Sequence, residues 1–270
     1  MQKLIDTIKS FNSCSEKREL PYSIYSSLKI QHILNVPIVK PLLVIVLSGT
    51  KELGKNAQST ARSGHFAFLS NESSLDMRNI PKNQEYLALL IDFEYSDFNG
   101  LQKELSTRED IIMGEVSSAL EKTLSQFIEW SHIAPKEIWS LRKQEILHLL
   151  YHSGFEHIGS IAQAPGFSHK VHGIINEDLS KDIKLTTLCL RLGVSESTFR
   201  RKLKSENTNL QKIKDQARLG LGLHLIQTTL EPIGIISGLC GYMSQSRFTD
   251  KFKQLFHITP SELRKTRMTD

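Results

Sequence analysis

Two periodicities divide the chain. From residue 22 to residue 95 the apolar side chains come in short runs, SIYSSLKIQHIL, PLLVIVLSGTKEL, GHFAFLS and EYLALLIDFEY, punctuated by Pro41, Gly49, Gly54, Gly64 and Pro81. Short runs between such turn formers predict strands, and several in succession predict a β-sandwich or small barrel. From Glu115 the period changes. Val116, Leu120, Leu124, Phe127 and Ile128 recur at helical spacing, and Ile138, Leu141, Ile146, Leu149 and Leu150 do so after Pro135. Two amphipathic helices are expected there, their apolar faces packing on the β unit or forming a seam with a second copy. The weakly periodic stretch GFEHIGSIAQAPGFSH, rich in Gly, Pro and Ser, places a linker at residues 156–170.

Beyond it the pattern is helical throughout, and it contains a repeat. LCLRLGVSESTFRRKLK and IISGLCGYMSQSRFTDKFK share one register, with Leu188 five residues before Gly193 and Ile236 five before Gly241. Each copy offers an apolar pair for a first helix, a glycine for a sharp turn, and a Ser ahead of a polar second helix. Phe199 and Leu203 face inward in the first copy; Phe248, Phe252 and Phe256 form the inward stripe of the second. Between the copies LQKIKDQARLGLGLHLIQTT predicts a long central helix with Ile213, Leu221 and Leu225 on one face. Gly220 and Gly222 lower its propensity, which a close helix crossing would justify.

Composition places the chain among folded proteins: 270 residues, 39% hydrophobic, room for about two domains. No apolar run is long enough for a signal core or a membrane span, so the protein is expected in the cytoplasm, away from membranes. Charge is uneven. Val171 to Asp270 holds 16 Lys and Arg against 10 Asp and Glu, a net of +6, while residues 1–170 carry −1. This asymmetry suits a nucleic-acid module joined to a neutral domain. Cys14, Cys189 and Cys240 have no metal-ligand spacing, and the latter two fall at inward positions of the repeats, where Cys acts as a small hydrophobe.

The stretch SESTFRRKLK resembles the first recognition helix of the AraC/XylS family of bacterial transcription regulators. Ile236, Gly241, Tyr242, Ser246, Phe248, Phe252 and Lys253, followed by ITPSELR with Pro260 and Arg264, are similar to that family's second half, and Arg218 falls where it usually has arginine. The resemblance spans about residues 171 to 266. More loosely, PLLVIVLSGTKEL, GHFAFLS, YLALLIDFE and KQEILHLLYHSG look like the cupin-related arm of an AraC subgroup. Asn207 and His257 stand where the family tends to have glycine after each recognition helix, and Ser237 replaces an alanine.

The resemblance implies an α+β chain of two domains. A cupin-like β-sandwich or barrel with flanking helices, residues 1–155, would bind an effector or dimerise, and an all-α domain, residues 171–270, would bind DNA with two helix-turn-helix units. Two recognition helices on one rigid helix can enter successive major grooves about 34 Å apart. By resemblance Ser197, Arg200 and Arg201 fall at base-reading positions, and Gln245, Ser246 and Arg247 occupy the analogous face of the second helix; Gln suits adenine and Arg suits guanine. Lys204, Lys251 and Lys253 are placed on phosphate. Asp250 either accepts from cytosine or pairs with Arg247 or Lys253. The implied function is a sequence-specific transcription regulator, read as an activator, with double-stranded DNA and RNA polymerase as partners, and with a homodimer through the first domain and a small-molecule effector as further partners.

For an effector, Lys40, Lys51 and Arg62 are the candidate anion anchors, with Leu42 to Leu47 and Tyr86 to Ile91 as apolar walls. The rival classes are a cupin-like enzyme or metal sensor tethered to DNA, and a partner-binding regulator that blocks other DNA-binding proteins. No cofactor or metal is expected: His32 and His65 are isolated, and His148 and His152, spaced i, i+4, lack a third ligand in view. No nucleophile-base pair or phosphate loop supports an enzyme.

Overall fold

The computed structural model describes residues 1–12, 19–71, 74–83, 85–102, 109–161 and 166–268, so Cys14 lies outside the described residues. The chain divides into two compact units, Met1–His32 with Ile38–Gln163, and Ile33–Pro37 with Ala164–Asp270. The first half begins with helix α1 (Gln2–Asn12). Strands β1 (Ser23–Ser27), β2 (Gln31–Pro37), β3 (Leu42–Ser48), β4 (Thr50–Leu53), β5 (Ser59–Arg62), β6 (His65–Leu69), β7 (Ser74–Ile80), β8 (Tyr86–Asp92) and β9 (Ile111–Glu115) follow. Helices α2 (Ser118–Ser131), α3 (Trp139–Tyr151) and α4 (Ile158–Ile161) complete it. The strands form a five-stranded sheet, β1-β8-β3-β6-β9, and a four-stranded sheet, β2-β7-β4-β5.

Register explains the near-continuous burial of the central strands. In the larger sheet Leu43 lies opposite Ile91 and Phe68, and Ile45 opposite Leu89 and Phe66. These side chains share one face, because neighbours alternate across a pleat. They form one core with Leu4 and Ile8 of α1, Leu124, Phe127 and Ile128 of α2, and Ile146, Leu147 and Leu150 of α3. The opposite face carries Val44, Val46, Ala67 and Ala88, also buried. A strand buried on both faces loses its alternation and reads as an unbroken apolar run.

Several expectations need correction. SIYSSLKIQHIL is two strands, as is PLLVIVLSGTKEL, which breaks at Gly49; its φ of 82° and a Cβ position 2.5 Å from the Ile80 carbonyl oxygen both demand glycine. Helix α1, the polar strands β5 and β7, and strand β9 fall outside the expected elements. Leu141 was expected to face inward but is 62% exposed. It sits in the first turn of α3, on the side away from Ile146, Leu147 and Leu150. The apolar stripes of α2 and α3 both pack within the chain. Of the segment 156–170 expected to link the domains, 158–161 form α4, with Ile158 and Ile161 in the first core, and 167–170 begin the next helix.

The second half is helical: α5 (Phe167–Asn176), α6 (Leu185–Leu192), α7 (Glu196–Ser205), α8 (Leu210–Thr228), α9 (Ile233–Leu239), α10 (Gln245–Phe256) and α11 (Pro260–Lys265). The central helix α8 departs from the one-sided face expected of it. Ile213 and Ala217 join a core with Val171, Leu188, Phe199 and Leu203. Further along, a Cβ on Gly222 would stand 2.8 Å from the Phe248 ring and 3.4 Å from Cys240 Sγ. One end of α8 thus serves the first repeat and the other end the second, on different faces, while Leu221 and Leu225 are only half-buried. Gly222 is the close crossing that its low helix propensity implies.

Candidate nucleic-acid interface

Each repeat folds as helix, turn, helix. After α6, Gly193 adopts φ 62° and its backbone N–H donates to the carbonyls of Cys189 and Leu190; Ser195 then caps α7 by accepting from the Thr198 N–H. After α9, Gly241 adopts φ 74°, and Ser244 caps α10 by accepting from the Arg247 N–H. The inward stripes are as the spacing predicts: Phe199 and Leu203, then Phe248, Phe252 and Phe256, are all buried. Cys189 and Cys240 are buried and free, and burial pushes the Cys240 thiol up to about 12.

With the apolar side occupied, the outer side of each second helix is polar. Ser197, Arg200, Arg201 and Lys204 of α7 are exposed, as are Gln245, Ser246, Arg247 and Lys253 of α10. Arg200 lies 4.0 Å from Glu196 one turn earlier, an exposed i, i+4 pair worth little and readily exchanged for another anion. Lys251 differs: it is half-buried and sits 3.7 Å from Asp215 of α8. Asp250 is exposed and forms no ion pair with Arg247 or Lys253.

The frame holding these faces is partly ionic. Lys214 of α8 donates to Asp182 at 2.8 Å and to the Ile183 carbonyl at 2.8 Å, and Arg218 approaches Asp182 at 3.5 Å. The Lys214 ammonium holds the Asp182 carboxyl below the usual carboxylate range. Arg218 Nε would also lie 3.0 Å from a Cβ on Gly241. It therefore touches both the loop before α6 and the turn of the second unit, contacts between distant loops that spacing along one helix does not reveal.

Asn207 and His257, the two non-glycine helix ends, adopt φ 53° and 59°. Asn tolerates the left-handed region and His does so less readily. His257→Gly is expected to raise the unfolding free energy by about 0.5–1 kcal/mol, the relief of a left-handed non-glycine residue less the entropy glycine adds to the unfolded chain. Urea denaturation of the two proteins checks it, with Asn207→Gly giving a smaller gain.

Of the three candidate anion anchors, the fold turns only one inward. Arg62 is exposed, and lies in register with Thr50 while its neighbour Ala61 pairs with Lys51, so Arg62 and Lys51 point to opposite faces. Lys40 is engaged by Glu94 and, at 3.6 Å, by Asp92. Lys51 is 5% exposed, donates to Asn79 Oδ1 at 2.9 Å, and lies 5.9 Å from the Tyr86 ring centroid of the facing sheet. Burial lowers its pKa from 10.5 to about 8. Below that value the buried amine is charged at a cost to stability, a cost relieved as pH rises from about 8 through 10.5. Lys51→Met is therefore expected to stabilise the chain by roughly 2 kcal/mol at pH 7. Thermal melts across pH should show the gain vanishing near pH 10.5.

His148 and His152 stack at 6.1 Å between ring centroids. Among the described residues no group of three His, Cys, Asp or Glu is placed to hold a metal ion, and no helix is long and apolar enough to cross a membrane.

Two helix-turn-helix units sharing one central helix define a domain of AraC type. Residues 188–266 match the family described as a helix-turn-helix domain, and that stretch is an AraC-type domain. Over 96 residues the chain is 35% identical to the HTH-type transcriptional activator CsvR of Escherichia coli, covering 36% of each. It is 30% identical over 103 residues to the virulence regulon transcriptional activator VirF of Shigella flexneri, covering 38% of this chain and 39% of that one. The chain thus spans well under half the length of the curated relatives it matches. Likeness in fold extends further. The structure of apo ToxT from Vibrio cholerae superposes with a TM-score of 0.68 over 94% of this chain and 100% of that one, at 14% identity. ToxT with an unsaturated fatty acid bound gives 0.65 over 93% and 98%, also at 14% identity. The two-domain α+β architecture is shared with these proteins.

Proposed function

We propose that the chain is a sequence-specific DNA-binding transcription regulator of the cytoplasm, acting as an activator. One observation carries this reading: two N-capped helices, built on opposite ends of α8, bury Phe199, Leu203, Phe248, Phe252 and Phe256 and present Ser197, Arg200, Arg201, Gln245, Ser246 and Arg247 outward. An exposed face of arginine, glutamine and serine at the start of a recognition helix suits base edges, and Lys204 and Lys253 beside it suit phosphates. Lys251 serves the backbone only by leaving Asp215. CsvR and VirF are named as transcriptional activators, which supports the same direction of control. RNA polymerase is the partner this role requires. Genome-wide footprinting with the full chain tests the reading: discrete protected sites upstream of genes, with transcription falling when the gene is deleted, are expected. Uniform, sequence-independent protection contradicts it.

The first unit is proposed to tune that activity through a small acidic effector, with a homodimer as the acting form. Lys51 supports this, as a buried ammonium that no described carboxylate neutralises. A bound carboxylate would supply its missing counter-charge. ToxT, alike in fold, is known with an unsaturated fatty acid bound. A fatty acid that shifts DNA affinity of the wild-type chain but not of Lys51→Met is the expected result.

A further inference from the structure

The two turns are unequal by one residue. Between Gly193 and the cap Ser195 stands Val194 alone, whereas between Gly241 and the cap Ser244 stand Tyr242 and Met243. The residue before a helix cap commonly packs on the fourth helical residue and fixes the entry of the chain. In the first unit Val194 does this, packing against the cluster that holds Phe199, the fourth residue of α7. In the second unit the fourth residue is Phe248, and its partner is Tyr242, with ring centroids 5.4 Å apart. The added residue hands the packing role back by one position and turns Met243 out. Met243 is 99% exposed, more than any other large hydrophobic among the described residues.

A single exposed apolar residue is ordinary on a protein surface, but this one stands directly before Ser244, Gln245, Ser246 and Arg247. The N-terminal end of a recognition helix is the part that meets base edges. Among base-edge features of the major groove, the one that an apolar side chain complements is the C5-methyl group of thymine. A phosphate contact is the other use for this place, and it calls for a cation or a hydrogen-bond donor. Residues 232–246 contain no Lys, Arg, Asp or Glu, and a methionine side chain donates nothing. We propose that Met243 reads a thymine methyl group in the half-site of the second unit, an inference that rests on the DNA-binding reading above. The first turn lacks an equivalent residue, so the preference is confined to one half-site.

The test uses the full chain and a DNA duplex selected by it from a random pool. Each thymine of the second half-site is replaced in turn by deoxyuridine, which lacks only the methyl group. One replacement is expected to weaken wild-type binding roughly threefold to tenfold, the equivalent of one buried methyl group. The same replacement should leave Met243→Ala unaffected, and Met243→Leu should keep the discrimination. Specific binding in which wild type and Met243→Ala respond alike to every replacement overturns this inference alone. If the wild-type chain selects no sequence at all, the DNA-binding reading falls and the inference with it.

Discussion

Gly241→Ala is expected to destabilise the second helix-turn-helix unit by about 3 kcal/mol or more, whereas Gly193→Ala costs only about 1 kcal/mol. Both glycines have positive φ, 74° and 62°, so both alanines bear left-handed strain. Surroundings separate them. A Cβ at Gly241 would stand 2.3 Å from the Leu179 carbonyl oxygen and 3.0 Å from Arg218 Nε, while one at Gly193 meets nothing within 4 Å. A backbone carbonyl cannot step aside as the end of a side chain can. The loop bearing Leu179 also leads to Asp182, which engages Lys214 and Arg218 of α8. Displacing it disturbs the frame between the two units, and DNA affinity should fall with stability. Thermal and urea unfolding of the two variants decides the matter. Equal losses would mean that the turn of the second unit is not pinned as described.

Arg200→Ala and Arg247→Ala should each weaken binding to the preferred site by about 1–3 kcal/mol and relax base preference, but in different half-sites. Arg200 lies on α7 and Arg247 on α10, both exposed, and the Arg200 side chain holds only a surface pair with Glu196. Neither loss should lower the melting temperature appreciably, since neither side chain packs in a core. Affinity measured on the preferred site and on single-base variants separates two roles: a base-reading arginine loses preference at one position, whereas a phosphate-binding one weakens all sequences alike. In the double variant the losses should add, because the two contacts share no partner.

What sequence alone reveals here follows the range of the interaction concerned. The turns were legible because Gly193, Gly241, Asn207 and His257 must satisfy a local backbone demand, and all four adopt positive φ. The outward polar sides of α7 and α10 were legible because Phe199, Leu203, Phe248 and Phe252 fix, at helical spacing, which side of each helix is buried. The role of α8 was harder to read. Its burial is set by two different cores, so no single stripe of residues announces it. Likewise Lys251 looks free until α10 folds beside Asp215, and Lys51 and Arg62 look equivalent until the pairing of β4 with β5 turns one inward and the other out. The strands STAR and SLDMRNI carry too few apolar residues to signal themselves. Their partners in the sheet, rather than their composition, make them strands.

In the proposed function, one chain reads two successive major grooves with α7 and α10 held at a fixed spacing by α8. The most direct measurement is the affinity of the full chain for a duplex selected from a random pool, compared with the same duplex carrying a half-turn insertion, about 5 base pairs, between its two conserved segments. Two segments about one helical turn apart are expected, with a loss of specific binding on insertion, because the second segment then faces the opposite side of the helix. A single contiguous segment, or unchanged affinity after the insertion, would contradict this reading.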